Sequence, residues 1–110
     1  MKSLNKVQLI GWLGNDPEFR NKKDGTEYAH FKIATDIFIP KDEGPPAKIT
    51  TWHTVVVWKE NLLRNIRSYL LKGSHVLIDG RISYTTFEDK AGHKRYMTAI
   101  TANYLVDLDR

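Results

Sequence analysis

Thr51-Trp52-His53-Thr54-Val55-Val56-Val57-Trp58-Lys59 is dense in β-branched and aromatic residues, the composition of a strand. Just after it the pattern changes: Leu62, Leu63, Ile66 and Leu70 recur at helical spacing, as nowhere else in the chain. Asn61 is placed to cap the start of that helix, and Gly73 to occupy its C′ position. Side chains alternate along a strand, so Trp52, Thr54, Val56 and Trp58 share one side. The two indoles then stand roughly 20 Å apart along the strand. Two readings are open: both rings are core, or they form flat platforms on which unpaired bases stack.

The rest of the chain supplies strands around this switch. Leu4 to Leu13 reads as a first strand with Val7, Leu9 and Leu13 on one face. Gly11 within it and Gly14 at its end point to a bulge, a bend or a close backbone approach. Asn15-Asp16-Pro17 turns the chain, and Asn21-Lys22-Lys23-Asp24-Gly25 has the composition of a hairpin turn. Tyr28 to Ile39 is a second long strand, with Tyr28, His30, Lys32 and Ala34 on one face and Ala29, Phe31, Ile33 and Thr35 on the other. Pro40 to Lys48 is a loop around Gly44-Pro45-Pro46. His75 to Tyr84 and Tyr96 to Val106 are the last strands, joined by the turn Glu88-Asp89-Lys90-Ala91-Gly92. Three strands, one helix and two strands predict an all-β, five-stranded Greek-key barrel of the OB type, with the helix between strands 3 and 4. A sandwich would have no helix at this point, and a ferredoxin-like fold would need two.

At 110 residues the chain reads as one domain, 1–110. No run of 18 apolar residues predicts a membrane span, and the N-terminus lacks the apolar stretch of a secretory signal. The absence of cysteine excludes disulfides, thiol catalysis and thiolate metal sites. His30, His53, His75 and His93 are dispersed without ligand spacing, so no metal is expected. No phosphate-binding glycine loop, nucleophile motif or carboxylate constellation is present, which argues against an enzyme, a cofactor or a small-molecule substrate. The net charge of +4 permits a polyanionic partner without requiring one.

Leu4-Asn5-Lys6-Val7-Gln8-Leu9-Ile10-Gly11-Trp12-Leu13-Gly14-Asn15-Asp16-Pro17-Glu18 resembles the opening of the bacterial-type single-stranded DNA-binding proteins, which mitochondria share. Further matches follow in order: Phe31-Lys32-Ile33-Ala34-Thr35, Thr51-Trp52-His53, Lys72-Gly73-Ser74, Asp79-Gly80-Arg81-Ile82 and Gly92-His93-Lys94-Arg95-Tyr96. Each piece is weak alone; together, in order, they span nearly all of the chain. The resemblance implies an OB-fold homotetramer that wraps single-stranded DNA by aromatic stacking and basic side chains, without a cofactor. It implies a role in replication, recombination and repair, partners such as a polymerase and a helicase, and a location in the mitochondrial matrix (nucleoid) or the bacterial cytoplasm.

Carried over by position, Trp52 matches a stacking tryptophan, Trp58 a stacking phenylalanine and Phe87 a stacking tryptophan. A fourth stacking tryptophan has no clean match, and Phe38 is the candidate in that region. Lys6, Lys32, Lys59, Lys72, Arg81, Lys94 and Arg95 are candidate phosphate contacts; each alone also reads as a solvated charge, and the set carries more weight than its members. Ser83-Tyr84-Thr85-Thr86 lacks the arginines that many bacterial members carry there. Trp12 stands where the family usually has a polar or charged residue, as one more platform or as a subunit contact; His53, on the face opposite Trp52, is expected to pack or hydrogen-bond at a subunit contact. The chain stops at Leu108-Asp109-Arg110, short of the acidic tail of bacterial members, which implies a mitochondrial-type protein or a truncated chain. The alternative reading is an OB module for oligomerisation or protein interaction with its aromatics in subunit contacts. An RNA-binding OB module or replication-restart factor is a nearer rival.

Overall fold

The structure is a computed structural model that describes residues 2–88 and 91–110, with 87 and 88 described as backbone only. Asp89 and Lys90 of the expected turn lie outside the described residues. The elements in order are β1 (Val7–Leu13), β2 (Glu18–Asn21), β3 (Glu27–Ile39), β4 (Ala47–Val57), α1 (Glu60–Tyr69), β5 (His75–Glu88) and β6 (Lys94–Asp107). The sheet order is β1-β5-β6-β4-β3-β2, and β1 also pairs with β3, which closes five strands into a barrel. The helix sits where the sequence places it, between the third and fourth long strands. The short β2 is an addition: it forms a hairpin with β3 through the turn at Lys22–Gly25, where Asp24 accepts the Thr26 amide at 2.9 Å. That amide holds the Asp24 carboxyl below its ordinary range.

The alternation expected for β3 holds. Ala29, Phe31 and Ile33 point into the barrel with Val55 and Val57 of β4, and all five are buried. Tyr28, His30 and Lys32 therefore line the outer face with Trp52, Thr54 and Val56, their partners across the ladder being Ala34↔Trp52, Lys32↔Thr54 and His30↔Val56. The helix closes the barrel interior with Leu62, Leu63 and Ile66, followed by Leu70. Removing four such side chains from water is the main force holding it, at about 1.5–3 kcal/mol each. Arg67 ties its outer side to the β2–β3 hairpin through Glu27 at 2.7 Å and lies over the Phe19 ring.

Several expected boundaries shift. The helix begins at Glu60 with Lys59 as N-cap and no side-chain cap bond, so Asn61 lies inside the helix. Gly73 is not the C′ residue, because the helix ends at a Leu70 cap. It occupies the following turn, with φ +92°, where the Ser74 amide bonds the Leu71 carbonyl. The third strand begins at Ala47, earlier than the loop reading allowed, and ends at Val57. The last two strands form one long hairpin, His75–Glu88 with Lys94–Asp107. These strands outrun their apolar cores because antiparallel ladders continue into solvent-exposed ribbons, where alternation no longer reports burial. In β6, Asn103 is skipped between the pairs Asp79↔Tyr104 and Gly80↔Ala102, a bulge that keeps Ala102 and Leu105 both facing inward.

Candidate nucleic-acid interface

Trp52 is 56% exposed on the outer face of β4. Its ring extends across the small Ala34 toward the end of β1, where a Cβ on Gly14 would stand 2.8 Å from Trp52 Cη2 and closer still to Cζ3. Gly14 is thus the seat of the indole. Gly11 marks the neighbouring strand crossing, since a Cβ there would collide with the Ala34 carbonyl oxygen. Close approach is the reading that applies to both glycines. Beside the indole opens a groove of about 550 Å³, lined by Gly14, Asn15, Glu18, His30, Lys32, Thr54 and Met97 among others. Asn15 shapes its floor by accepting the Lys32 amide at 3.0 Å.

Trp58 follows the end of β4, on the side expected. It is half-buried: the Tyr28 ring lies 4.7 Å away, tilted by 31°, and Lys22 Nζ sits 5.3 Å from the indole centroid. Tyr28 also approaches His30, with centroids 6.3 Å apart. An aromatic row, Trp58–Tyr28–His30, therefore runs along the outer face toward the groove. Tyr28 and His30 were readable as sharing a face with Lys32, but nothing in sequence marked them as partners of Trp58.

Phe38 is 63% exposed on the extended β3–β4 ribbon, paired with Lys48 and on the same side of the ribbon as Trp52. Phe87 pairs with Arg95 in the β5–β6 ladder; its side chain lies outside the described residues. Arg95 has the strand parity of Met97, which lines the groove, while Lys94 takes the opposite parity. Arg81 pairs with Thr101, Thr101 with Val56 and Val56 with His30, so Arg81 belongs to the same outer row. Lys32 enters the groove directly. Lys72 stands in the turn after the helix, and its amide bonds Asp16 Oδ1 at 2.7 Å, which brings the turn to the end of β1 near Gly14. Lys6 and Lys59 are committed locally: Lys6 pairs with Asp79 at 3.6 Å, and Lys59 donates to the Asn103 carbonyl freed by the bulge at 3.1 Å. The structure brings Trp52 and Lys32 together in one groove and does not bring Lys6 there.

A second outer surface covers β1, β5 and β6. Trp12, 47% exposed, stacks on His75 with centroids 4.5 Å apart. Next to it lie Ile10 and its ladder partner Leu77, then Val106, the partner of Leu77 on β6; Tyr104 is exposed further along β6. His53 bonds Thr35 Oγ1 through Nε2 at 2.9 Å, a contact within its own sheet. Among the described residues no group of histidine or acidic side chains is arranged to hold a metal ion, and no helix is long and apolar enough to cross a membrane.

Comparison with known proteins adds independent findings. The pattern described as the single-strand binding protein family matches residues 4–108. A single-stranded DNA-binding protein of Rhizobium meliloti is 38% identical over 99 residues, covering 89% of this chain and 57% of its own length. A single-stranded DNA-binding protein 1 of Xylella fastidiosa is 42% identical, covering 93% of this chain and 75% of its own length. The corresponding protein of Chlorobaculum tepidum is also 42% identical, with 90% and 61% covered. The chain therefore spans between 57% and 75% of the length of these curated relatives. A solved Plasmodium falciparum SSB in complex with ssDNA has a TM-score of 0.80 and 31% identity, covering 99% of this chain and 98% of that one.

Proposed function

The chain belongs to the single-strand binding protein family, a family of non-enzymatic DNA-binding proteins with the OB fold, and from that premise we propose that residues 1–110 form one domain that binds single-stranded DNA with little sequence preference. The observation that carries this reading is Trp52: an open indole seated on Gly14, beside a groove that Lys32 enters. Exposing a tryptophan on a rigid sheet costs hydrophobic free energy, and base stacking of about 1–3 kcal/mol per base gives that exposure a use. In the proposed path Trp52, Trp58, Phe87 and Phe38 stack bases. Lys32, Lys72, Arg81, Lys94 and Arg95 neutralise phosphates, with Lys59 and Lys6 at the margins. An ammonium has three donors, so the bond from Lys59 to Asn103 leaves it able to meet a phosphate as well.

The proposed assembly is a homotetramer, which gives a wrapped strand more surface than the roughly 4–16 nucleotides one OB fold accommodates. Two features of the outer β1 side support it. Ile10, Trp12 and Tyr104 are exposed, with Leu77 half-buried among them, and β1 from Val7 to Gly11 pairs on one edge only, with β5. An open strand edge beside exposed apolar side chains is a surface on which another chain can pair and pack. This favours Trp12 as a subunit contact over a base platform. The cellular role proposed is protection of unpaired strands in DNA replication, recombination and repair, alongside proteins such as a polymerase and a helicase. The bacterial sources of the curated relatives favour a bacterial setting over a mitochondrial one.

The test is a titration with oligo-dT followed by tryptophan emission, run beside sedimentation equilibrium of the free protein. Quenching that weakens with salt, together with a tetramer mass, is the expected result. Unchanged emission with no binding would overturn the function. A single species at monomer mass would overturn the wrapping mechanism.

A further inference from the structure

The groove beside Trp52 holds an anion, the group a surface for a polyanion would be expected to avoid. Glu18 lines it from β2, directly opposite His30 in the β2–β3 ladder. Glu18 Oε2 lies 3.2 Å from His30 Nε2 and 3.5 Å from the Arg20 guanidinium, and about half of its side chain remains exposed. A carboxylate repels phosphate oxygens, which favours the sugar–phosphate chain on the Lys32 side of the groove rather than against Glu18. What it can accept is a hydrogen bond from a base edge.

We infer that Glu18, steadied by His30, reads the edge of the base stacked on Trp52 and favours bases with an exocyclic amino group over bases with a carbonyl there. The inference rests on the groove being the DNA site proposed above. Trp52 lies opposite Ala34 and Glu18 opposite His30, so their backbones are two strands apart, about 10 Å, and four residues apart along β3, about 13 Å. The indole reaches back toward Gly14, whose amide bonds the Lys32 carbonyl, and both side chains line the one groove, so a base on the indole extends toward Glu18. Of the other polar side chains in the groove, His30 faces Glu18 itself, and Asn15 is committed: Oδ1 accepts the Lys32 amide and Nδ2 donates to the Asp16 carbonyl. Glu18 is not, since both of its contacts fall on Oε2 and an ionised carboxylate has about four lone-pair sites. Cytosine N4, adenine N6 and guanine N2 can donate to it. Uracil and thymine present carbonyl oxygens around a single N3–H, and those oxygens face the carboxylate with like partial charge.

The experiment compares oligo-dC with oligo-dU of equal length, a pair that exchanges an amino group for a carbonyl with no methyl group involved. The readout is the ratio of the two affinities, in which general changes in charge and intrinsic stacking cancel. Glu18→Gln should lower the dC-to-dU ratio about fivefold, and Glu18→Lys, a pure donor, should lower it further. Both substitutions lie at an exposed position of a short edge strand and leave the core untouched, which a melting curve of each variant checks. Quenching by both oligomers with a ratio that neither substitution moves would overturn the inference and leave the proposed function standing. Binding of neither oligomer by the wild-type protein would overturn both.

Discussion

Trp52 and Trp58 stand on the same side of β4 and its extension, yet they occupy different kinds of surface. Trp52 is open over Gly14 and Ala34, with a groove at its edge. Trp58 is half-buried, one part of its surface taken by Tyr28 and its ring approached by Lys22. The difference lies in the strand beneath. Where β3 and β1 offer a small residue the indole lies flat and free; where β3 offers a tyrosine the ring is held in a pair. Strand parity determines which way an aromatic points, and the neighbouring strand determines how much of it remains to stack a base.

This contrast can be broken experimentally. The largest expected effect is Trp52→Ala, which removes an open platform and should weaken oligo-dT binding by about 1–3 kcal/mol. A folded Trp52→Ala protein that binds as tightly as wild type would end the assignment. Next is Gly14→Ala. The added methyl group meets the Trp52 ring, so the indole must tilt off its seat; a loss of about 1 kcal/mol in binding and altered emission of the free protein are expected. If isothermal titration finds Gly14→Ala indistinguishable from wild type, the seat is not what holds the platform.

Trp58→Ala should cost less than Trp52→Ala, about 1 kcal/mol, because Tyr28 already occupies part of that ring. A larger loss for Trp58→Ala would invert the comparison and make the Trp58–Tyr28 pair the primary platform. The smallest effects are electrostatic. Lys32→Ala should flatten the logarithmic salt dependence of binding by about 0.7, one single-strand phosphate contact. Lys6→Ala, whose ammonium already faces Asp79 at the margin of the path, should flatten that slope by less. A slope for Lys32→Ala equal to that of wild type would mean that Lys32 touches no phosphate.

Much of the barrel was legible because period-2 alternation is a local property. Ala29, Phe31 and Ile33 against Tyr28, His30 and Lys32 divided as the pattern predicts, and the leucines after Lys59 made the helix. Elements with little local apolar pattern were harder to read. β2 has four residues and one half-buried side chain, Phe19, so no periodicity could announce it. The turn glycine at Gly73 looked like a helix terminator because glycine with positive φ serves both purposes. Lys59 looked like a free cation; its bond to Asn103 depends on a bulge in a strand that begins after the helix and β5 have passed.

By itself the sequence determined the strand–helix–strand order, the residues that share each face, and two glycines that mark a bulge, a bend or a close approach. These follow from the geometry of a strand and from the missing Cβ, both properties of adjacent residues. Only the tertiary structure decided that Gly14 carries Trp52, that Tyr28 supports Trp58, and that Glu18 meets His30 within the groove. Each of these contacts joins different strands or the residues just beyond their ends, and Gly14 meets Trp52 only once β1 has closed on β3. Their partners are set by barrel closure and ladder register, which local patterns constrain but do not select.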